Sequence, residues 1–212
     1  MTTDSYLTIE KPSIAEFKDR GSTFMAHAFP IISTNEFKEK LATLKKTHPK
    51  AVHHCFAYRL GLDGMNFRLT DDGEPSGTAG RPILGQIDSR QLTNVLIVVV
   101  RYFGGTLLGV PGLINAYKSS AALALQLTAI VQKPVLVNYR LQYDHTQTHE
   151  VMKVIKQFNC VVLKQETQLF CLLETGVPKN RENEILFRLR ELRGVGWKNF
   201  NLVVYIFVVP YS

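Results

Sequence analysis

The residues best suited to chemistry lie in two polar, glycine-rich runs of the N-terminal half. The first run, DDGEPSGTAGRP, contains Asp71, Asp72 and Glu74, and either Asp72 or Glu74 could act as a base toward a bound ligand. The second run, RYFGGTLLGVPG, begins with Arg101 at the end of an apolar stretch. Because a buried guanidinium is costly without a partner, Arg101 must meet a carboxylate, a backbone carbonyl or a bound anion.

Arg101 therefore has two possible roles, and the sequence alone leaves both open. As an internal clamp, it would pair with Asp71, Asp72 or Glu74 and hold the two runs together. As an exposed reader of anions, it would contact a phosphate or carboxylate of a partner. We favour the clamp, with the polar loop that it holds forming the recognition edge.

The glycines of the second run offer a further place for an anion. Glycine permits positive φ and close backbone approach, and a helix that begins directly after these glycines would present unpaired N–H groups and partial positive charge. The alternative is that the glycines only turn the chain sharply between a buried strand and a packed helix. The run is neither a Walker loop nor a GxGxxG fingerprint. The glycines concerned are Gly104, Gly105, Gly109 and Gly112.

His53, His54 and Cys55 stand side by side and invite a nucleophile or metal interpretation. On a strand, His53 and Cys55 share a face but lie roughly 7 Å apart, too far for a thiolate–imidazole dyad. A metal site that joins either histidine to Asp71 or Asp72 would require a tertiary coincidence. We therefore expect packing or hydrogen-bonding histidines, no catalytic residue, no metal and no cofactor.

Composition is typical of a folded globular protein. Of the 212 residues, 45% are hydrophobic and 20% are charged, enough apolar material for a buried core. The N-terminus lacks the apolar core of a signal peptide, and the most continuous apolar run, residues 95–100, is far too short to cross a bilayer. With three cysteines and no CxxC pair, we expect free thiols and a cytoplasmic protein with no membrane partner.

The formal net charge of +7 favours anionic partners, because a summed positive field raises the rate of encounter with phosphates and acidic surfaces. The excess is shared between the two halves of the chain. Charge therefore supports nucleic-acid binding only weakly.

Residue patterns predict the elements that position these side chains. In the N-terminal half, three segments have patterns typical of strands: YLTIEK, TFMAHAFPI and HHCFAYRL. The pattern of residues 33–47 is typical of an amphipathic helix. VLIVVVRYF indicates a central strand buried on both faces, followed by a long helix over about residues 111–131. The run FRLTDDGEPSGTAGRP is too rich in Gly, Pro and Asp for a regular element.

The C-terminal half predicts a β-α-β-β-α-β order, the split βαβ arrangement of ferredoxin-like domains. Its strands are VLVNYRLQY, CVVLKQ, LFCLLE and NLVVYIFVV, and its helices cover residues 148–158 and about 178–194. Lys133-Pro134 interrupts the pattern and predicts two α+β domains, residues 1–132 and 133–212. One sheet face would stay open to RNA, a protein or the neighbouring domain, and we favour the neighbouring domain.

The same runs carry a family resemblance. DDGEPSGTAGRPILGQI followed by VLIVVVRYFGGTLLGVPGLINAYKSSA closely resembles the signature of the YigZ/IMPACT family, and AVHHCFAYRL resembles the strand before it. The whole layout resembles the bacterial two-domain YigZ-like members. The resemblance implies an N-terminal domain like the second domain of a ribosomal small-subunit protein. It implies a C-terminal domain like the last domain of elongation factor G.

For function, the resemblance implies nucleic-acid or ribosome-associated binding and no known catalytic domain. The eukaryotic relatives bind a coactivator of the starvation-responsive translation kinase and so restrain that kinase. They carry an additional N-terminal domain that is not found in this sequence, so that role is not carried over. Where many relatives have Lys or Arg near the helix start, this chain has Asn115, with Lys118 a turn later, which predicts weaker anion binding there.

Three functions follow, and we prefer the first. It is a non-enzymatic regulatory protein that contacts RNA, the ribosome or a translation factor through the glycine-rich edge. The second is an enzyme or sensor for a small phosphorylated or carboxylated ligand at residues 104–112, and the third is a protein–protein adaptor. The residues assigned to the edge are Asp71, Asp72, Glu74, Arg81, Arg101, Tyr102, Phe103, Gly104, Gly105, Gly109, Gly112, Asn115 and Lys118, with His53, His54 and Arg59 as secondary candidates.

Overall fold

The computed structural model describes residues 4–200, which form two compact units. One unit is Tyr6–Lys133, and the other begins at Pro134 and includes residues 4 and 5. Independent folding of residues 1–132 and 133–212 stays a prediction. No helix within residues 4–200 has the length and apolar character needed to span a membrane.

The larger unit contains seven strands and three helices among the described residues. In chain order they are β1 Ser5–Ile9, β2 Ser13–Asp19, β3 Ser22–Pro30, α1 Thr34–Thr47, β4 His53–Leu60, β5 Asn66–Thr70, α2 Gly80–Asp88, β6 Val95–Tyr102, α3 Gly109–Gln126 and β7 Ile130–Pro134. Five strands form an antiparallel sheet in the order β2-β3-β6-β4-β5, and β1 pairs with β7 in a separate small sheet.

The central strand β6 builds two cores, because alternate residues of a strand point to opposite faces. Its side chains at 95, 97 and 99 belong to the core beneath α2 and α3, and those at 96, 98 and 100 belong to the core beneath α1. All six are fully buried. The predicted central strand, buried on both faces, is confirmed.

Two predictions about this unit are wrong. The run of residues 67–82 is irregular only over residues 71–79, since its start lies in β5 and its end lies in α2. The helix predicted over residues 111–131 is α3, which ends at Gln126. The β-branched residues Ile130 and Val131 lie in β7 instead, in keeping with the preference of such residues for strands.

The second unit contains β8 Leu136–Tyr143, α4 Thr148–Gln157, β9 Val161–Thr167, β10 Cys171–Pro178, α5 Glu182–Glu191 and β11 Gly196–Asn199. Its strands form an antiparallel sheet in the order β11-β8-β10-β9, and both helices contribute to the core on one face. The predicted order of elements is confirmed as far as residue 200. The predicted strand NLVVYIFVV lies outside the described residues, and the likeness to named domains stays a prediction.

Candidate functional site

Arg101 and Glu74 form a buried ion pair at the end of β6. The Arg101 Nη1 lies 2.6 Å from the Glu74 Oε1, and the two side chains are 7% and 3% exposed. The same carboxylate oxygen accepts a hydrogen bond of 2.8 Å from the Tyr117 hydroxyl on α3. The Arg101 guanidinium lies over the Phe24 ring, 5.3 Å from its centroid. The expectation that Arg101 meets a carboxylate is confirmed, and that carboxylate is Glu74.

The burial of this pair determines what Arg101 can do. A guanidinium that is already bound to a carboxylate inside the protein is poorly placed to read a phosphate on the surface, because its charge is neutralised and its approach is blocked. Removing either partner would leave the other charge buried and unpaired, which is strongly destabilising. The geometry therefore favours the internal clamp over the exposed reader of anions.

Asp71 holds the start of α2. Its carboxylate accepts hydrogen bonds from the backbone N–H groups of Gly77 at 2.8 Å, Ala79 at 3.0 Å and Gly80 at 2.8 Å. Burial alone raises the pKa of Asp71, but these three N–H groups and the nearby charge of Arg81 outweigh it, so the pKa lies below its ordinary value. An internal carboxylate thus occupies the helix terminus where an external anion could otherwise bind.

Asp72 fastens the same loop to β4. Its Oδ2 accepts a hydrogen bond of 2.7 Å from the His54 N–H, and its backbone carbonyl lies 2.7 Å from the His53 Nδ1. A carbonyl can only accept, so we assign the proton to that ring nitrogen. The His53 Nε2 then faces the Glu74 carboxylate at 3.8 Å. Asp71, Asp72 and Glu74 are therefore used in holding their own loop.

Cys55 is a core residue rather than a nucleophile. The residue is fully buried, and its Sγ lies 3.0 Å from the Asp71 carbonyl oxygen and 3.3 Å from the Tyr117 hydroxyl. Burial raises the pKa of the Cys55 thiol far above its ordinary value, and the carboxylates nearby add to the effect. The thiol therefore stays protonated at neutral pH. Residues 4–200 contain no cluster of side chains able to hold a metal ion.

The glycines of the second run make the turn between β6 and α3. A Cβ placed on Gly104 would lie 1.9 Å from the carbonyl carbon of Gly21, so the two backbones touch. The Gly104 N–H donates to the Ser22 hydroxyl at 3.2 Å. Gly105 and Gly109 have φ values of +84° and +69°, which an L side chain rarely adopts. These contacts favour the interpretation that the glycines only turn the chain between β6 and α3. Gly112 lies further along, within the first helical turn of α3.

Beyond this turn, the side chains of the edge face solvent and are mainly apolar. The sequence RYFGGTLLGVPG leaves residues 103–107 and 109–111 exposed. Phe103, Leu107, Val110 and Ile114 are respectively 49%, 82%, 52% and 38% exposed. Asn115 and Lys118 are also exposed on α3. The outward surface of the candidate site therefore differs in character from its charged interior.

Four other predicted residues do not join the buried cluster around Glu74. Arg81 is exposed in the first turn of α2. The Arg59 guanidinium pairs with Asp88 at 2.7 Å and lies over the Phe67 ring. Tyr102 and His54 belong to the core beneath α1 or its border. The Tyr102 hydroxyl lies 2.8 Å from the His48 Nδ1. Burial lowers the pKa of His54.

Sequence reasoning missed two residues that complete the cluster. Tyr117 is not among the predicted site residues, although its hydroxyl contacts both Glu74 and Cys55. Ser22 lies at the start of β3. Its hydroxyl oxygen accepts a hydrogen bond from the Gly104 N–H and lies 3.5 Å from the Arg101 Nη2. The signal for Tyr117 was available, since a buried tyrosine hydroxyl nearly always finds a partner. Nothing in the sequence pointed to Ser22.

Comparisons with known proteins agree on one family. Residues 20–125 match the family described as Impact N-terminal domain. The IMPACT family member YigZ of Escherichia coli is 33% identical over 82% of this chain and 85% of its own length. The IMPACT family member YvyE of Bacillus subtilis is 33% identical over 89% of this chain and 87% of its own length. A crystal structure of a hypothetical protein aligns with a TM-score of 0.72 at 28% identity, covering 92% of this chain and 97% of that one.

Proposed function

The chain belongs to the IMPACT family, and on that premise we propose that it is a regulatory binding protein that acts on the translation apparatus through its glycine-rich edge. In this proposal the edge is narrowed to residues 103–118, from the end of β6 through the first turns of α3, because the carboxylates of the polar loop are used internally. The protein would act by binding a macromolecular partner rather than by converting a substrate. Translation enters the proposal through the resemblance to the eukaryotic relatives described above.

One observation carries the proposal: the carboxylates and the arginine of the two polar runs are used internally, and the outward side chains of the edge are mainly unreactive. Arg101 and Tyr117 both donate to the Glu74 carboxylate, and Asp71 holds the start of α2. The exposed positions of the edge are mainly glycines, aliphatic side chains and Phe103, together with Thr106, Pro111, Asn115 and Lys118. A surface of that composition suits recognition, because an enzyme would require an acid, base or nucleophile that can reach its substrate.

The proposal is tested by recovering partners of the tagged, full-length protein from lysate of its own cells. Leu107→Ser alters the most exposed apolar residue of the edge, and Leu169→Ser is a matched control because both leucines are 82% exposed. We expect ribosomal proteins or translation factors with the wild type and with Leu169→Ser, and their loss with Leu107→Ser. Equal recovery with both variants would contradict the proposal, as would the absence of translation components.

A further inference from the structure

The glycine-rich edge exposes an apolar strip, which we define as Phe103, Leu107, Val110 and Ile114. Val110 and Ile114 are one helical turn apart on α3, so their side chains share a face of the helix. Phe103 and Leu107 precede that helix, at the two ends of the exposed segment 103–107. A single exposed apolar residue is ordinary, whereas a surface with several large ones usually marks an interaction site.

Positive charge borders the apolar strip on the helix side. Lys118 is exposed and follows Ile114 by one further turn of α3. Within residues 4–200, no ion pair engages the Lys118 ammonium group. The sequence has no Asp or Glu between Asp88 and Asp144, so the segment carrying the strip contributes only positive charge.

A second cation lies near the other end of the strip. Arg20 is exposed in the turn between β2 and β3, next to Gly21, whose backbone touches Gly104. The neighbouring carboxylate of Asp19 offsets part of this charge. Lys118 is therefore the stronger feature, and Arg20 adds to it. Together the two cations place positive charge at both ends of an apolar surface.

The side chains of the strip distinguish between two classes of anionic partner. Proteins that bind single-stranded nucleic acid combine cations with several aromatic rings on which bases stack. This strip has one aromatic ring, Phe103, and three aliphatic side chains, which cannot stack on bases. The Arg101 guanidinium is bound to Glu74 inside the protein and is not free for phosphate. Aliphatic side chains bordered by cations match an amphipathic protein segment better.

We propose that the apolar strip docks an acidic amphipathic segment of a partner protein. Apolar side chains of that segment would pack on Leu107, Val110 and Ile114, and its carboxylates would face Lys118 and Arg20. Opposite charges at the rim of such an interface guide encounter and fix the register of the segment. The inference rests on the proposed function and specifies its partner as a protein rather than RNA.

Photo-cross-linking from the strip tests this inference. A benzoyl-phenylalanine replaces Leu107 in the full-length protein, and the same group at Leu169 serves as the matched control. After irradiation in lysate, one portion of each adduct is treated with nuclease and another with protease. The cross-linked peptides released by the protease are then sequenced. We expect nuclease-resistant adducts at position 107 whose peptides combine apolar residues at one-turn spacing with a net negative charge.

A charge reversal completes the experiment. Lys118→Glu in the same background should lower the yield of the adduct by about tenfold, since it replaces attraction with repulsion at the rim. Lys38→Glu on α1 should leave the yield unchanged, because α1 covers the other face of the sheet. Basic or neutral peptides, or a yield that Lys118→Glu does not change, would overturn the inference.

Two other outcomes separate the inference from the proposed function. Adducts that nuclease removes would overturn the protein partner while leaving the edge as the binding surface. A yield at position 107 no higher than at position 169 would overturn both the inference and the proposed function.

Discussion

The Arg101 guanidinium and the Glu74 carboxylate meet at 2.6 Å in a place that is almost closed to solvent. Glu74 belongs to the loop before α2, and Arg101 belongs to β6, the strand before α3. Their ion pair therefore joins the two polar runs that the sequence marked as chemical. The Tyr117 hydroxyl donates to the same carboxylate and so connects α3 to this ion pair. What resembles a reactive site is the internal support of the glycine-rich edge.

The contact between Gly104 and Gly21 predicts a large difference between two glycine substitutions. Gly104→Ala should destabilise the protein by about 3 kcal/mol or more, because its Cβ would overlap backbone atoms that cannot move independently. Gly85→Ala in α2 should stabilise it by about 1 kcal/mol, since nothing lies within 4 Å and alanine favours helix. Urea denaturation of both variants measures the two values. Equal stability would contradict the close approach of the two turns.

His27 predicts a loss of stability in mild acid. Burial lowers the pKa of His27 to about 4, with a smaller contribution from His48. The unfolded chain takes up this proton near pH 6.5, so the free energy of unfolding falls as pH drops from about 6.5 to about 4. The stabilisation is complete above that window. His27 should account for about 3 kcal/mol of the change.

The substitution His27→Phe tests this assignment by removing the titrating group while keeping a ring. The free energy of unfolding of the variant should fall less steeply between about pH 6.5 and pH 4. His149→Phe, at an exposed histidine, is the control and should follow the wild type. Parallel curves for the wild type and His27→Phe would show that the acid sensitivity arises elsewhere.

The two halves of the chain should fold separately. Residues 1–132 and residues 133–212, expressed alone, should each show a cooperative thermal transition, because each half supplies its own sheet, helices and core. Circular dichroism melting measures this directly. Halves that both lack a cooperative transition would show that the boundary is wrong or that neither half is stable alone.

The apolar strip should contribute to binding without contributing to stability. Leu107→Ser is expected to change the free energy of unfolding by less than about 0.5 kcal/mol, because its side chain is 82% exposed. Urea denaturation tests this before any binding experiment is interpreted. A destabilisation above about 2 kcal/mol would mean that the leucine is part of the core and that loss of binding reflects unfolding.

The sequence was sufficient to predict that Arg101 needs a carboxylate, because the end of a buried strand is a costly place for a lone charge. It could not say which carboxylate, since Asp71, Asp72 and Glu74 lie within four positions and only the path of the loop decides. That path places the Asp71 side chain on the start of α2 and the Glu74 side chain on Arg101.

The helix α2 was missed for a related physical reason. Its N-terminus begins after Ala79, whose side chain cannot accept a hydrogen bond, so the local sequence shows no capping residue. The cap comes from Asp71, eight and nine positions before the N–H groups of Ala79 and Gly80. Local patterns contain no information on a cap supplied from that distance. By contrast, β6 was predicted correctly because six consecutive apolar residues require burial on both faces.

The most direct test of the central claim is the melting temperature of full-length Arg101→Ala. Loss of Arg101 leaves the Glu74 carboxylate buried and unpaired, so we predict a destabilisation of about 3 to 5 kcal/mol and a melting temperature lower by about 10 °C. Arg59→Ala, which removes a partly exposed ion pair with Asp88, should cost about 1 kcal/mol or less. A wild-type melting temperature in Arg101→Ala together with lost partner binding would contradict the account, because Arg101 would then read the partner itself.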